Sequence, residues 1–123
     1  MPRMRRALLV FLLAAPAALA SDTYRDGWTP NAIRDAIGAC TDALVDGAWE
    51  NTKRDQGIDA KRAMTPEIRK QLEPQIDAFR RLCDCTVRET AKKYGAKDYE
   101  RQSDVVQRYT VELVQRGTCK GPH

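Results

Sequence analysis

The sequence predicts an all-α fold, a small three-helix bundle cross-linked by disulfides, in which a kink at Pro74 would divide the second helix into two pieces. Three observations carry this prediction. Apolar residues recur at spacings of three and four in three separate stretches. No stretch alternates between apolar and polar residues, as a half-buried strand would. Four cysteines follow residue 20, enough for two disulfides in a short chain.

The first helix is predicted to begin after Thr29, a residue type that caps helix N-termini well. Pro30 then occupies the first helical position, where its missing N–H costs nothing, and Trp28 is placed to pack on Ile33. One helical stripe follows, formed by Ile33, Ile37, Cys40 and Leu44. This stripe predicts that Cys40 faces the core.

The second helix is predicted to follow a connection at residues 52–63, a stretch with a glycine and no apolar period. Thr65 and Pro66 repeat the cap signal of the first helix. Pro74 then kinks this segment, or begins its main helix after a short first piece. Gly95 is the expected C-terminal cap. One face of this helix is lined by Ile76, Phe79, Cys83, Val87 and Tyr94.

The third helix is expected to take its N-terminal cap from Asp98 and to stop at Gly117. Because only a moderate and a very short connection separate the three helices, neighbouring helices should be antiparallel. The predicted core-facing stripe of the third helix consists of Tyr99, Val106, Tyr109 and Leu113.

The N-terminal residues have the pattern of a cleavable secretory signal peptide, assigned to residues 1–20. Three arginines precede an apolar run, and the segment ends in Ala18-Leu19-Ala20. The run is about half the roughly 20 residues that a membrane span needs, so we expect no membrane span after cleavage. Residues 21–123 are then expected to form a single helical domain, periplasmic or secreted.

The charge of the mature chain argues against a nucleic-acid partner. Removing the three leader arginines from the 21 basic residues leaves 18 against 17 acidic ones, a net charge of about +1. The remaining charges are interspersed in sign along the chain. Such a pattern is typical of solvated helix faces rather than of a phosphate-binding patch.

The four cysteines, Cys40, Cys83, Cys85 and Cys119, are expected to form two disulfides, because an exported chain passes through an oxidising compartment. Side chains two residues apart on a helix point about 200° away from each other, so Cys83 and Cys85 should not share one partner. Cys40 and Cys83 lie at similar distances from the loop that joins their helices. This favours Cys40–Cys83 with Cys85–Cys119, although four cysteines allow three pairings.

The Cys-Asp-Cys motif at residues 83–85 also suggests thiol–disulfide exchange, because closely spaced cysteines can hold a readily reduced disulfide. Nearby positive charge would favour a thiolate, and it comes from Arg80, Arg81 and Arg88. Asp84 and Glu89 offset that charge, and the sequence has neither the Cys-x-x-Cys spacing nor the strands of a thioredoxin-like fold. Metal binding by the thiolates is a second alternative.

No residues in the sequence form an evident catalytic set. The only histidine, His123, is the last residue, and no glycine-rich phosphate loop is present. We expect no enzyme activity, no metal and no cofactor. The candidate partner contacts are Trp49, Tyr94 and Tyr99, since amphipathic aromatic residues are favoured at interfaces.

One sequence pattern spans residues 28–100: Trp28, then Cys40, then Cys83-Asp-Cys85 followed by VRETAKKYGAKDYE. It resembles small uncharacterised exported bacterial proteins, in which a Trp-led helix with one cysteine precedes a helix that carries Cys-x-Cys and ends in a Lys-Tyr turn. The resemblance implies export and a helical fold, and it brings no activity with it.

The function expected from the sequence is that of an exported, non-enzymatic binding or accessory protein. Export, disulfides and the missing catalytic set all favour a role on a periplasmic protein partner, as an inhibitor, an immunity factor or a chaperone-like protein. The alternative is a thiol-based redox or metal-handling protein that uses the Cys-Asp-Cys motif.

Overall fold

The computed structural model describes residues 23–120, and in this part of the chain all regular structure is helical. The signal peptide assigned to residues 1–20 lies outside the described residues, as does His123. The five helices are α1 (Pro30–Gln56), α2 (Pro66–Gln71), α3 (Glu73–Lys93), α4 (Ala96–Glu100) and α5 (Asp104–Gln115). The long helices α1, α3 and α5 form the bundle, so the predicted fold class is confirmed.

Helix α3 is the central helix of the bundle, with α1 and α5 packed against it. Ile33 packs with Val87 and Ala91 whereas Val45 packs with Ile76 and Phe79, so α1 and α3 are antiparallel. The Tyr94–Tyr109 and Cys85–Cys119 pairs make α3 and α5 antiparallel in the same way, so the two outer helices run in the same direction. None of the helices in residues 23–120 combines the length and apolar content that a bilayer crossing requires.

Helix α1 begins as the sequence predicts. The Thr29 hydroxyl accepts a hydrogen bond from the Ala32 N–H at 3.0 Å, and Pro30 is the first helical residue. Trp28 packs against the apolar cluster that contains Ile33, at the end of the helix where the contact was expected. The predicted stripe is correct only in part, because Ile33 is fully buried whereas Ile37, Cys40 and Leu44 are half-buried.

The prediction that residues 52–63 connect two helices is wrong at its start, because α1 continues to Gln56. Lys53 provides the physical reason. Its side chain is only 5% exposed, and its ammonium donates to the Ala60 carbonyl at 2.6 Å and pairs with Glu50 at 2.8 Å. Gly57 then ends the helix with φ 65°, a left-handed conformation that glycine adopts at little cost.

The fully buried residues of α1 are spaced in multiples of four. Because four residues rotate by about 40° more than one full turn, the buried position shifts by about 40° around the helix for every four residues. The buried face of α1 therefore winds around the helix, and its two halves contact different parts of α3. These residues are Ile33, Thr41, Val45, Trp49 and Lys53.

The second predicted helix is divided in two, which confirms the expectation that Pro74 begins the main helix after a short first piece. The short helix α2 starts at the Thr65 cap, whose hydroxyl accepts from the Ile68 N–H at 3.3 Å. The chain breaks at Leu72, and Pro74 lies in the first turn of α3, where a proline needs no hydrogen-bond donor.

Two apolar clusters hold α1 against α3. The first contains Ile33, Val87 and Ala91, with Trp28 and Tyr99 packed on it. The second, nearer the loop, consists of Val45, Ile76 and Phe79, with Leu44, Ala48, Met64 and Leu72 at its edge. The α1–α3 pair thus contains most of the buried apolar surface.

A short N-terminal segment crosses the C-terminal end of α3 and satisfies its last carbonyls. The Arg25 N–H donates to the Ala91 carbonyl at 2.8 Å, and the Trp28 indole donates to the Tyr94 carbonyl at 2.8 Å. The expectation that Gly95 is the C-terminal cap of this helix is wrong, because Tyr94 is the C-cap and Gly95, with φ −68°, precedes α4 as its N-cap. Gly95 instead allows close approach, since a Cβ there would lie 3.1 Å from the Asp26 carbonyl oxygen.

The expected N-cap of the third helix is also wrong. Asp98 lies inside the short helix α4, and the chain turns at Gln102, which has φ 50°. Ser103 caps α5 instead, its hydroxyl accepting from the Val106 N–H at 3.3 Å. The predicted stop is confirmed, because α5 ends just before Gly117, whose φ is 79°.

Candidate functional site

The two cysteines of the Cys-Asp-Cys motif connect α3 to segments on different sides of it. Cys83 is bonded to Cys40 on α1, with 5.8 Å between the Cα atoms. Cys85 is bonded to Cys119, which follows α5, with a Cα separation of 5.6 Å. This is the pairing that the sequence favoured. The two disulfides therefore fasten both outer helices to the central one.

This arrangement leaves no dithiol at the motif. Every cysteine of the chain is in a disulfide, and Cys83 is completely buried. Within residues 23–120, no three side chains of the His, Cys, Asp and Glu types are grouped as they would be around a metal ion. The motif acts as two structural cross-links in this conformation.

An apolar groove of about 490 Å³ separates the two outer helices, with α3 as its floor. Its α1 wall is built from Ala39, Ala43 and Leu44, and Leu82 lies on the floor. The alanines are the reason for the opening, because their small side chains leave space between the helices. The α5 wall carries Val106, Val111 and Val114.

Among residues 23–120, no charged side chain lines this groove, although 31% of the chain is charged. The other concave surfaces found among the described residues differ in this respect. One beside Trp49 is lined by Lys53, Arg62 and Arg69 among others, and one on the outer face of α5 includes Asp104 and Arg108. The groove is therefore chemically distinct from its surroundings.

The threonine and glutamine side chains that line the groove donate hydrogen bonds within the chain. The Thr86 hydroxyl donates to the Cys83 carbonyl at 3.3 Å, and the Thr110 hydroxyl donates to the Gln107 carbonyl at 2.7 Å. The Gln107 amide in turn donates to the Gln102 carbonyl at 2.9 Å. A ligand in the groove would consequently meet mainly apolar surface.

The α5 wall exposes apolar side chains to solvent. Val111 is 52% exposed and Val114 38%, and both line the groove. Val105, 53% exposed, lies on the other side of α5 near Tyr94 and Tyr109. All the large apolar side chains that are exposed in residues 23–120 are thus on this one short helix.

One end of the groove is closed by Tyr99, which packs edge-on against Trp28 with 5.3 Å between the ring centroids. The half-buried position of its ring raises the pKa of the Tyr99 hydroxyl. The Gln102 side-chain amide donates to the Tyr99 carbonyl at 3.0 Å and holds the turn before α5. This end of the groove is therefore built from well-connected residues.

The structure brings only one of the three predicted contact residues to the groove. Tyr99 lines it, whereas Tyr94 faces away and packs edge-on against Tyr109, with Lys93 over the Tyr109 ring at 4.4 Å. Trp49 is 7% exposed, and its indole donates to the Arg62 carbonyl at 3.1 Å. Trp49 is therefore packed in the core and does not line the groove.

The exposed valines of α5 were not among the contact residues predicted from the sequence. Their signal was present, because apolar residues occur at Val105, Val106, Val111, Leu113 and Val114 and so cover more of the helix than one stripe. Only Val106 and Leu113 are fully buried against the bundle.

Comparisons with protein-family models, with curated proteins and with solved structures gave no match to this chain. The fold and the groove are thus the basis for a functional proposal.

Proposed function

We propose that this chain is an exported binding protein whose groove receives an apolar helical segment of a periplasmic protein partner. The observation that carries the proposal is the uncharged groove between α1 and α5, with Val111 and Val114 exposed on its wall. Contiguous exposed apolar surface on a small protein usually marks an interaction site.

The shape of the groove favours a protein segment over an enclosed small ligand. The 12 residues of α5 make a wall about 18 Å long, which matches roughly three turns of a docked helix. Small-molecule sites commonly enclose most of their ligand. Here the wall valines face solvent, so the occupant would keep one face outside.

The disulfides support the proposal because they fix the walls before binding. Cys40 belongs to the groove surface and is tied to α3, and Cys119 holds the end of α5 to α3. A preformed groove avoids the entropic cost of ordering its walls when the partner arrives. This arrangement does not support the redox or metal-handling alternative, because each cysteine of the motif is bonded to a different cysteine that is distant in sequence.

Export is part of the same proposal. Two disulfides in a small helical domain are consistent with an oxidising compartment outside the cytoplasm. We propose cleavage after Ala20 and location in the periplasm. The intact mass of the exported protein tests this, since the proposal predicts a chain that starts at Ser21 and contains no free thiol. A mass that includes the leader, or alkylation of two cysteines, would contradict it.

Site-specific photo-crosslinking in cells that export the protein tests the binding site. A photoreactive residue at Val111 should form an adduct with a protein partner, whereas the same residue at Arg80, exposed on the other side of α3, should not. A second substitution, Ala43→Glu, should abolish the Val111 adduct without affecting the fold, because Ala43 is exposed on the groove wall. Equal adducts from both positions, or a Val111 adduct that survives Ala43→Glu, would sink the proposal.

A further inference from the structure

The outer surface of α1 carries a stripe of negative charge along the groove. Between Asp35 and Glu50 the sequence contains four carboxylates and no lysine or arginine. Glu50 pairs with Lys53. Asp35, Asp42 and Asp46 are exposed, and none of them has an ion-pair partner among residues 23–120.

These three aspartates border the α1 wall of the groove. Residues three or four apart on a helix are surface neighbours, with about 5 to 6 Å between their Cβ atoms. Asp35 and Asp42 are therefore neighbours of Ala39. Asp46 is a neighbour of Ala43 and also lines the cavity beside Trp49. Both alanines line the groove. The negative stripe and the apolar groove are thus parts of one surface.

The opposite wall does not offset this charge. On α5, Asp104 is a neighbour of Gln107 and Arg108 is a neighbour of Val111, so one negative and one positive charge border that wall. The floor residues Leu82 and Thr86 are uncharged. An occupant of the groove would consequently experience a net negative potential from the α1 side within the screening distance of about 10 Å.

We propose that the segment received by the groove is a basic amphipathic helix. Its apolar stripe would lie on Leu44, Leu82 and Val111, and lysine or arginine side chains on its flank would face the aspartates of α1. This inference rests on the proposed function and adds the chemistry of the partner. Charge complementarity of this kind selects among apolar segments that would otherwise fit equally well.

Two synthetic peptides test the inference on the full mature protein with its disulfides intact. Both are about four turns long and share one leucine stripe, but one has lysine and the other glutamate at every polar-face position. Fluorescence anisotropy of labelled peptides gives the two affinities. The lysine peptide should bind about tenfold more tightly, since each exposed ion pair contributes little and three act together. Raising the salt concentration should reduce this preference.

Two variants with the same change in net charge show whether the three aspartates cause the preference for the lysine peptide. Replacing all three stripe residues (Asp35→Asn, Asp42→Asn, Asp46→Asn) should remove the preference for the lysine peptide. The control variant Asp55→Asn, Glu67→Gln, Glu73→Gln makes the same change in net charge at exposed positions. Asp55 lies about 16 Å along α1 beyond Leu44, so its charge is largely screened from the groove. The control should keep the preference.

The outcomes separate the inference from the proposed function. Equal binding of both peptides, or a preference that the control variant loses as well, would overturn the charge inference and leave the groove as a binding site. If neither peptide binds and only neutral phenylnaphthylamine enters the groove, the site takes a small apolar ligand, and both proposals fail. Concentration-dependent dimers that Val111→Asp abolishes would likewise overturn both, because a second copy would cover the groove.

Discussion

The two sides of the central helix are built in different ways. On one side, α1 rests on α3 through two apolar clusters along its length, in addition to the Cys40–Cys83 disulfide. On the other side, α5 is a 12-residue helix with only two fully buried side chains, Val106 and Leu113. The α1–α3 pair has a core of its own, and α5 is attached to it.

This difference explains why the apolar groove can persist. A 12-residue helix is marginal in water by itself, so α5 depends on its N-cap, its two buried anchors and the Cys85–Cys119 disulfide. With those attachments in place, α5 does not need to bury its remaining valines. They stay available on the groove wall, where a partner would cover them.

The largest effect should come from removing the disulfides, one at a time. Cys85→Ala with Cys119→Ala opens a loop of 34 residues, and loss of the closure constraint should lower the free energy of unfolding by about 4 kcal/mol. Hydrogen exchange should accelerate mainly in α5. Cys40→Ala with Cys83→Ala should cost about as much, but accelerate exchange in α1 and α3 as well. Identical exchange patterns in the two variants would contradict the division into a core pair and an attached helix.

The next largest effect should be a difference in stability between substitutions on the two faces of α5. Leu113 is 1% exposed, and Leu113→Ala should lower the free energy of unfolding by about 3 kcal/mol through lost burial and a new cavity. Val111→Ala, on the exposed face of the same helix, should change it by less than about 0.5 kcal/mol. Urea denaturation measures both. A large loss from Val111→Ala would mean that the groove wall is part of the core.

A smaller effect is expected at the start of α5. Ser103→Ala removes the hydroxyl that accepts from the Val106 N–H and should cost about 1 kcal/mol. Ser103→Asp keeps an acceptor at the cap and should retain the stability. If both substitutions were equally destabilising in urea denaturation, the cap would not be what secures this end of α5.

The smallest expected effect on stability is that of Tyr99, which packs on the α1–α3 core and also lines the groove. Burial raises the pKa of this tyrosine above its ordinary value of 10.0, so the unfolded chain loses the phenolic proton at lower pH than the folded chain. The contribution to stability is complete below about pH 10 and falls as the pH rises further. Tyr99→Phe should therefore make stability decline less steeply above pH 10. Equal slopes for the two proteins would show that Tyr99 is not the group responsible.

Much of the α1–α3 pair could be predicted because its signals are local. The Thr-Pro caps and the apolar stripe of α3 each act through backbone geometry or helical period. The true end of α1 could not be predicted, since residues 52–56 are polar and are held in the helix by the hydrogen bond from Lys53 to Ala60 in the loop that follows. The cap of α5 was misplaced because Asp98 and Ser103 are both good caps, and the turn at Gln102 decides between them.

The groove was beyond sequence reasoning for a different reason. Ala39 and Ala43 are ordinary helix formers, and Val111 and Val114 would be equally at home in a core. Only the placement of α5 beside α1, set by the Cys85–Cys119 disulfide and by Leu113, turns these residues into two facing walls. The Cys-Asp-Cys spacing did predict that the cross-links diverge from α3.

Hydrogen-exchange mass spectrometry of the mature protein, with and without the lysine peptide, shows which surface the peptide covers. Exchange should slow in residues 39–44 and 106–114, the two groove walls, and should not change in residues 76–81 of α3. Protection centred instead on residues 49–53 and 62–69, where charged side chains line a different cavity, would place binding elsewhere and contradict the assignment of the groove.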